Sequence, residues 1–153
     1  MIEIGKDIIA LNKISFYLVK ENFTNNTCKT NLNPQFMFRQ SYNGITSKKF
    51  VGNYNKNGFW ISKFKLQVIE LRPDIIAKFS LLNNDKLIIK YSIGFSSIIM
   101  AIIIGIIFSL IPFIYLDINF ILTYLIWIII YMLISKFSLN KLRKLIREKI
   151  IIK

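Results

Sequence analysis

A chain of 153 residues with 21 Lys/Arg against 8 Asp/Glu is basic by 13 charges, is 54% apolar, and contains one cysteine and no histidine. The single thiol, Cys28, excludes an intrachain disulfide, and the missing histidine removes the commonest general base together with the commonest metal ligand. A zinc site and a Ser-His or Cys-His catalytic apparatus are thereby excluded, and the long apolar runs leave room for only one small folded head beside them.

From the N-terminus, Ile8, Leu11, Ile14 and Leu18 recur at spacings of three and four. This predicts an amphipathic helix over residues 7–21, held by packing because Asn12, Ser15, Phe16, Tyr17 and Val19 are middling helix formers. The Asn- and Thr-rich stretch from Asn22 to Pro34 predicts a loop. From Gln35 the pattern shifts to short strand-like runs divided by turn residues. Phe36–Phe38 precede Tyr42-Asn43-Gly44, Lys49–Tyr54 precede Asn55-Lys56-Asn57-Gly58, and Phe59–Leu71 precede Arg72-Pro73-Asp74. Ile75–Leu82 then precede Asn83-Asn84-Asp85, and Lys86–Ile93 end at the first apolar run. The Asn-Gly pairs are the strongest of these signals, because a type I′ hairpin turn needs two successive positive φ angles. An antiparallel meander of four or five strands is expected, and with the leading helix it makes residues 1–90 an α+β head.

Lys90, Asp117 and Lys136 bracket two uncharged apolar runs. Each can cross roughly 30 Å of hydrocarbon, and neither has the polar face that a helix of a soluble protein would show. Residues 91–136 are therefore predicted to form a transmembrane hairpin with spans at about 94–115 and 119–136. In the first run Ser97, Ala101, Gly105 and Ser109 recur every four residues, a ridge of small side chains that lets two helix backbones approach closely. In the second, Tyr124, Trp127, Tyr131 and Ser135 share one face. A turn near Leu116–Ile118 places residues whose numbers sum to about 233 at equal depth, so that Tyr124 meets Ser109, Trp127 meets Gly105 and Tyr131 meets Ala101. Trp127 lies too deep for an interfacial belt, so its indole N–H requires a buried acceptor. Internal packing of the hairpin is the expected use of the ridge, with a partner helix as the alternative.

Beyond Lys136 a helical period resumes, with Leu139, Leu142, Leu145, Ile146 and Ile150 on one side. It predicts a basic amphipathic helix over residues 137–153, with Ser138 as N-cap. Either the headgroup region or the head must cover that stripe. Lys141, Arg143, Lys144, Arg147 and Lys149 favour the surface of an anionic membrane. Residues 1–90 carry 14 Lys/Arg against 6 Asp/Glu, the chain from Lys136 carries 7 against 1, and the turn between the spans has only Asp117. That asymmetry predicts both termini in the cytoplasm of a bacterial inner membrane. Met1 to Asp7 lack the basic and apolar regions of a cleaved signal, so the first span is expected to act as the targeting signal. Anionic lipid is the expected partner, with a membrane protein or a second copy of the chain next. Nucleic acid is not expected, because a membrane-apposed surface accounts for the charge without any nucleic-acid motif.

No phosphate loop, dinucleotide fingerprint or nucleophile elbow occurs. Of the head's acids, Glu3, Asp7, Glu21, Glu70, Asp74 and Asp85, the last two fall in predicted turns, where aspartate ordinarily shapes the turn. No catalytic, cofactor-binding or metal-ligating residue is expected, and the chain reads as non-enzymatic.

The stretch carrying Phe50-Val51-Gly52, Asn57-Gly58-Phe59-Trp60-Ile61, Arg72-Pro73, Ile76 and Lys78, followed at once by two spans and a basic helix, resembles a group of small uncharacterised bacterial membrane proteins. In that group a Phe-x-Gly strand, an Asn-x-Phe strand, a Pro-containing turn and a final strand lead into a transmembrane hairpin. The resemblance implies a cytosolic β-rich head on a two-helix anchor, and no activity. The expected function is a membrane-anchored accessory or binding module that presents a basic head to lipid or to a membrane-protein partner. The alternatives are an immunity or defence protein recognising a toxin at the membrane, and a small subunit of a larger membrane complex.

Overall fold

A computed structural model describes residues 1–10, 16–29, 50–55, 58–63, 73–82 and 86–151. Its elements are β1 (Ile2–Ala10), α1 (Phe16–Asn26), β2 (Thr27–Lys29), β3 (Phe50–Asn55), β4 (Gly58–Lys63), β5 (Ile75–Leu82), β6 (Lys86–Ile93), α2 (Phe95–Leu116) and α3 (Phe120–Ile146). A π-helical turn, Arg147–Ile151, extends α3. The fold is α+β, a six-stranded sheet in the order β1-β6-β5-β4-β3-β2 with helices packed against it.

Strands β3 to β6 form the expected antiparallel meander, and β5 and β6 occupy the predicted spans. The β3–β4 ladder runs from Phe50 paired with Lys63 to Asn55 paired with Gly58. Gly58 adopts φ 145, and a Cβ there would run into the Phe79 carbonyl of the neighbouring strand, so glycine is required at that point. The expected strand Phe36–Phe38 and the span 64–71 lie outside the described residues.

Three expectations are corrected. The chain opens with a strand that takes in residues 7–10, expected to be helical: residues 2–10 pair antiparallel with β6, adding an edge to the meander, and residues 11–15 lie outside the described residues. Ile8, counted with the helical stripe, belongs to the strand, because short apolar runs rich in Ile satisfy either period and the nearby β6 offers a partner of matching length. Residues 16–21 are helical as expected, but the helix begins at Phe16 and runs on to Asn26, taking in residues expected to form a loop; β2 then follows and pairs parallel with β3. The asparagines are kept helical by tertiary bonds. Asn22 Nδ2 donates to the Ile150 carbonyl at 3.2 Å, and Asn26 Nδ2 to the Lys149 carbonyl at 3.2 Å, capping carbonyls that a helix end leaves unpaired. Finally, the basic C-terminal helix is no separate element. Helix α3 runs unbroken through Ser138, because no Gly or Pro interrupts Lys136–Ile146 and a change from apolar to charged residues does not itself end a helix.

The main core cluster lies on one face of the sheet, while Val51, Ser62, Ile76 and Ser92, neighbours on the opposite face, are buried as well. Phe50, Phe59, Ile61, Ile75, Ala77, Phe79, Leu87, Ile89 and Tyr91 point towards Val19 and Phe23 of α1, Leu139, Leu142 and Ile146 of α3, and Ile150 and Ile151. Phe59 stacks on Phe79 at 4.3 Å and meets Phe23 at 4.6 Å. The stripe expected to favour lipid is thus part of the head's core, with Ile146 and Ile150 wholly buried. A head this small lacks enough strand surface to bury its own apolar face, so α3 completes it.

Candidate functional site

At its root, where it meets the sheet, the hairpin of α2 and α3 is organised by three groups of side chains. Asp117 closes α2 in the left-handed conformation, and the Asn119 side chain caps α3 by accepting from the backbone N–H groups of Ile121 and Leu122. Both helices are long and apolar enough to cross a membrane. Most of their side chains are uncovered; Ile107, Phe108, Ile121 and Met132 are each more than half exposed.

The first group is the hairpin seam. Ala101, Gly105 and Ser109 are buried; Ser97 is half-buried. A Cβ at Gly105 would strike the Trp127 ring and lie 3.0 Å from Tyr124, so only glycine admits the indole at this depth. Trp127 Nε1 donates to the Ala101 carbonyl at 2.9 Å, and the ring stacks on Phe108 at 5.3 Å. Tyr131 donates to the Ser97 carbonyl at 3.3 Å. Ser109 and Ser135 each bond within their own helix, to the carbonyls of Gly105 and Tyr131. The predicted facing of Trp127 on Gly105 and the buried acceptor for its N–H are both present. Tyr124 and Tyr131, however, meet Gly105 and Ser97, one turn nearer the head than a sum of 233 implies.

The second group ties the hairpin to the sheet. Ser97 Oγ accepts from the Asp74 N–H at 2.8 Å and donates to the Asp74 carboxylate at 3.2 Å, while the Gly94 N–H donates to the Asp74 carbonyl. Asp74 therefore has more to do than shape a turn: its charge stands at the N-terminus of α2, where the helix dipole favours an anion.

A third group lies on the core face of the sheet. Arg143 of α3 pairs with Asp7 of β1 at 3.1 Å and lies 5.1 Å over the Tyr91 ring, whose hydroxyl donates to Asp7 at 3.1 Å. Gly5, beside a register shift in β1, leaves space for the guanidinium. Burial raises the Tyr91 phenol well above its ordinary value; the Asp7 carboxylate adds to this, and Arg143 partly opposes it. Sequence reasoning assigned Arg143 to a membrane surface. Its side chain instead closes on the sheet, whereas Lys141, Lys144, Arg147 and Lys149 stay exposed, with Lys144 4.0 Å from Glu148. Spacing along α3 alone does not reveal the pair with Asp7, which depends on β1 being a strand.

Two surfaces remain. On the face of the sheet away from the core, Lys6, Lys90 and Lys78 are direct neighbours across β1, β6 and β5, followed by Trp60 on β4. Like charges directly opposed weaken a sheet. Glu3 offsets one of them, 3.7 Å from Lys90. The other surface is a cleft of about 710 Å³ where the hairpin meets the β1 edge, walled by α2, α3, Ile2 and Ile4. Among the described residues no three His, Cys, Asp or Glu side chains gather as a metal site would need.

No family model, curated protein or solved structure matches the chain.

Proposed function

We propose that the protein is a non-enzymatic binding module anchored in the bacterial inner membrane, with both termini in the cytoplasm and the basic head held at the membrane surface. One observation carries this reading: two helices of membrane length leave an almost continuous apolar surface uncovered on all sides except their mutual seam, while the same α3 continues into the head's core. Water would not tolerate such a surface, and lipid would. Basic residues flank both helices on the head side and are missing from the Asp117 turn, which supports the cytoplasmic placement.

The lysine row supports the binding role. Three lysines directly opposed on an outward sheet face cost stability, and such a cost is sensibly retained where an anionic partner, lipid or the acidic surface of a membrane protein, faces the row. The test combines alkaline extraction of membranes with reporter fusions at residues 1 and 153. The chain should remain in the membrane and both fusions should report the cytoplasm. Release into the supernatant, or one terminus outside, would overturn the reading.

A further inference from the structure

We infer that the cleft between the hairpin and the β1 edge binds one anionic phospholipid of the cytoplasmic leaflet, with an acyl chain along the lower wall and the phosphate at Lys136. This deepens the anchored-module reading and rests on it.

The lining of α3 changes character along a single stripe. Towards the turn the cleft is walled by Trp127, Ile128, Tyr131 and Met132, together with Ala101 and Ile102 of α2. Trp127 Nε1 is committed to Ala101 and the Tyr131 hydroxyl to Ser97, so apart from the Tyr124 hydroxyl this part offers an occupant apolar surface. One turn nearer the head the same stripe becomes Lys136, Asn140 and Arg143. Arg143 is neutralised by Asp7. Lys136 and Asn140 are exposed and make neither hydrogen bond nor ion pair among the described residues. One uncompensated cation and one amide therefore stand at the mouth of an apolar slot.

Depth selects the occupant. At 1.5 Å per residue, Trp127 lies roughly 14 Å below Lys136 along α3. That is close to half of the roughly 30 Å hydrocarbon thickness. With Lys136 at the headgroup boundary, the apolar part of the cleft is one leaflet deep, which fits a lipid chain anchored from the cytoplasmic side. A volume of about 710 Å³ falls among small-ligand pockets, roughly 300–1,000 Å³. The cationic mouth selects phosphatidylglycerol over a zwitterionic lipid, since both offer a phosphate but the zwitterionic headgroup adds a cation that Lys136 repels.

The full chain, purified in mild detergent and examined by native mass spectrometry, should keep about one phosphatidylglycerol per chain and at least five times less phosphatidylcholine at equal supply. Lys136→Gln should remove most of that preference. Ile102→Trp and Met132→Trp, which fill the slot from exposed positions, should lower retention about tenfold, whereas Ile103→Trp, exposed but off the cleft, should not. Melting in detergent checks that each variant is folded. A measurement that leaves the cleft intact supplements these: in a Trp60→Phe chain, Trp127 fluorescence should be quenched saturably by brominated phosphatidylglycerol added near equimolar, and far less by the brominated phosphatidylcholine. Equal retention by all variants, or equal quenching by both lipids, would overturn the cleft assignment. These outcomes are distinct from failure of the anchored-module reading, which would appear as release of the chain from membranes at alkaline pH.

Discussion

At Gly105 the backbone of α2 admits the Trp127 ring, and the indole hydrogen bond to Ala101 is the only route by which that N–H avoids an apolar surround. Gly105→Leu forces the ring out and should destabilise the hairpin in detergent by about 2 kcal/mol or more, the order expected of overpacking. Ile103→Leu, on the uncovered side, should change melting little. Equal effects would dismiss the seam. At the other end of α3, Asp7 and Arg143 are mostly buried, so removing one partner strands the other. Asp7→Ala should cost about 2–3 kcal/mol, below the full penalty for breaking a buried pair because some solvent reaches the guanidinium. Asp7→Ala combined with Arg143→Met should recover much of the loss, as measured by chemical or thermal unfolding. Tyr91 gives this cluster a pH signature. Its folded pKa lies above the unfolded value near 10, so its contribution is fully present below that value and is lost as pH rises beyond it. Unfolding midpoints should therefore fall above about pH 10, and Tyr91→Phe should flatten that fall.

Among the elements, α3 has the largest consequence for the architecture, because a single rod packs against α2 at one end and completes the head's core at the other. Ser138→Pro places proline in the interior of that rod, where it removes a backbone hydrogen bond and clashes with the preceding turn; a loss of about 3 kcal/mol or more is expected in thermal unfolding. Were Ser138 the N-cap of a separate helix, the same change would be far milder. The sequence is informative where one period dominates over a long run. Residues 75–82 and 86–93 are largely apolar runs bounded by turn residues, and residues 95–116 are apolar all round, so β5, β6 and α2 could be placed to within a residue or two. Where tertiary partners decide, it is not. The Ile-rich start of the chain becomes a strand because β6 has a free edge, Asn22 and Asn26 stay helical because the π-turn carbonyls bond them, and the stripe of Leu139, Leu142 and Ile146 turns to the sheet because the head needs cover. Gly105 and Trp127 were legible as a pair, since one small and one large residue at matching depth can be found by counting; Asp7 and Arg143 were not, since their meeting depends on a strand assigned as helix.

For the whole molecule, head and hairpin share α3, and Asp74 and Ser97 join them again at the start of α2. Head and hairpin are thus one packed unit, and the lysine row and the cleft are held at fixed heights relative to the apolar helices. The central claim is that α3 leaves lipid and enters the head's core as one continuous helix. Spin labels placed singly along residues 121–150 in a Cys28→Ser background, in anionic bilayers, test it most directly. Accessibility should follow one helical phase throughout: high to oxygen at Ile121, Leu125, Ile129 and Met132, high to a water-soluble reagent at Lys141 and Lys144, and low to both at Leu139, Leu142 and Ile146. A break in phase near 137–138, or oxygen access at Leu139, Leu142 and Ile146 like that at Met132, would place the C-terminal stretch on lipid and contradict the account.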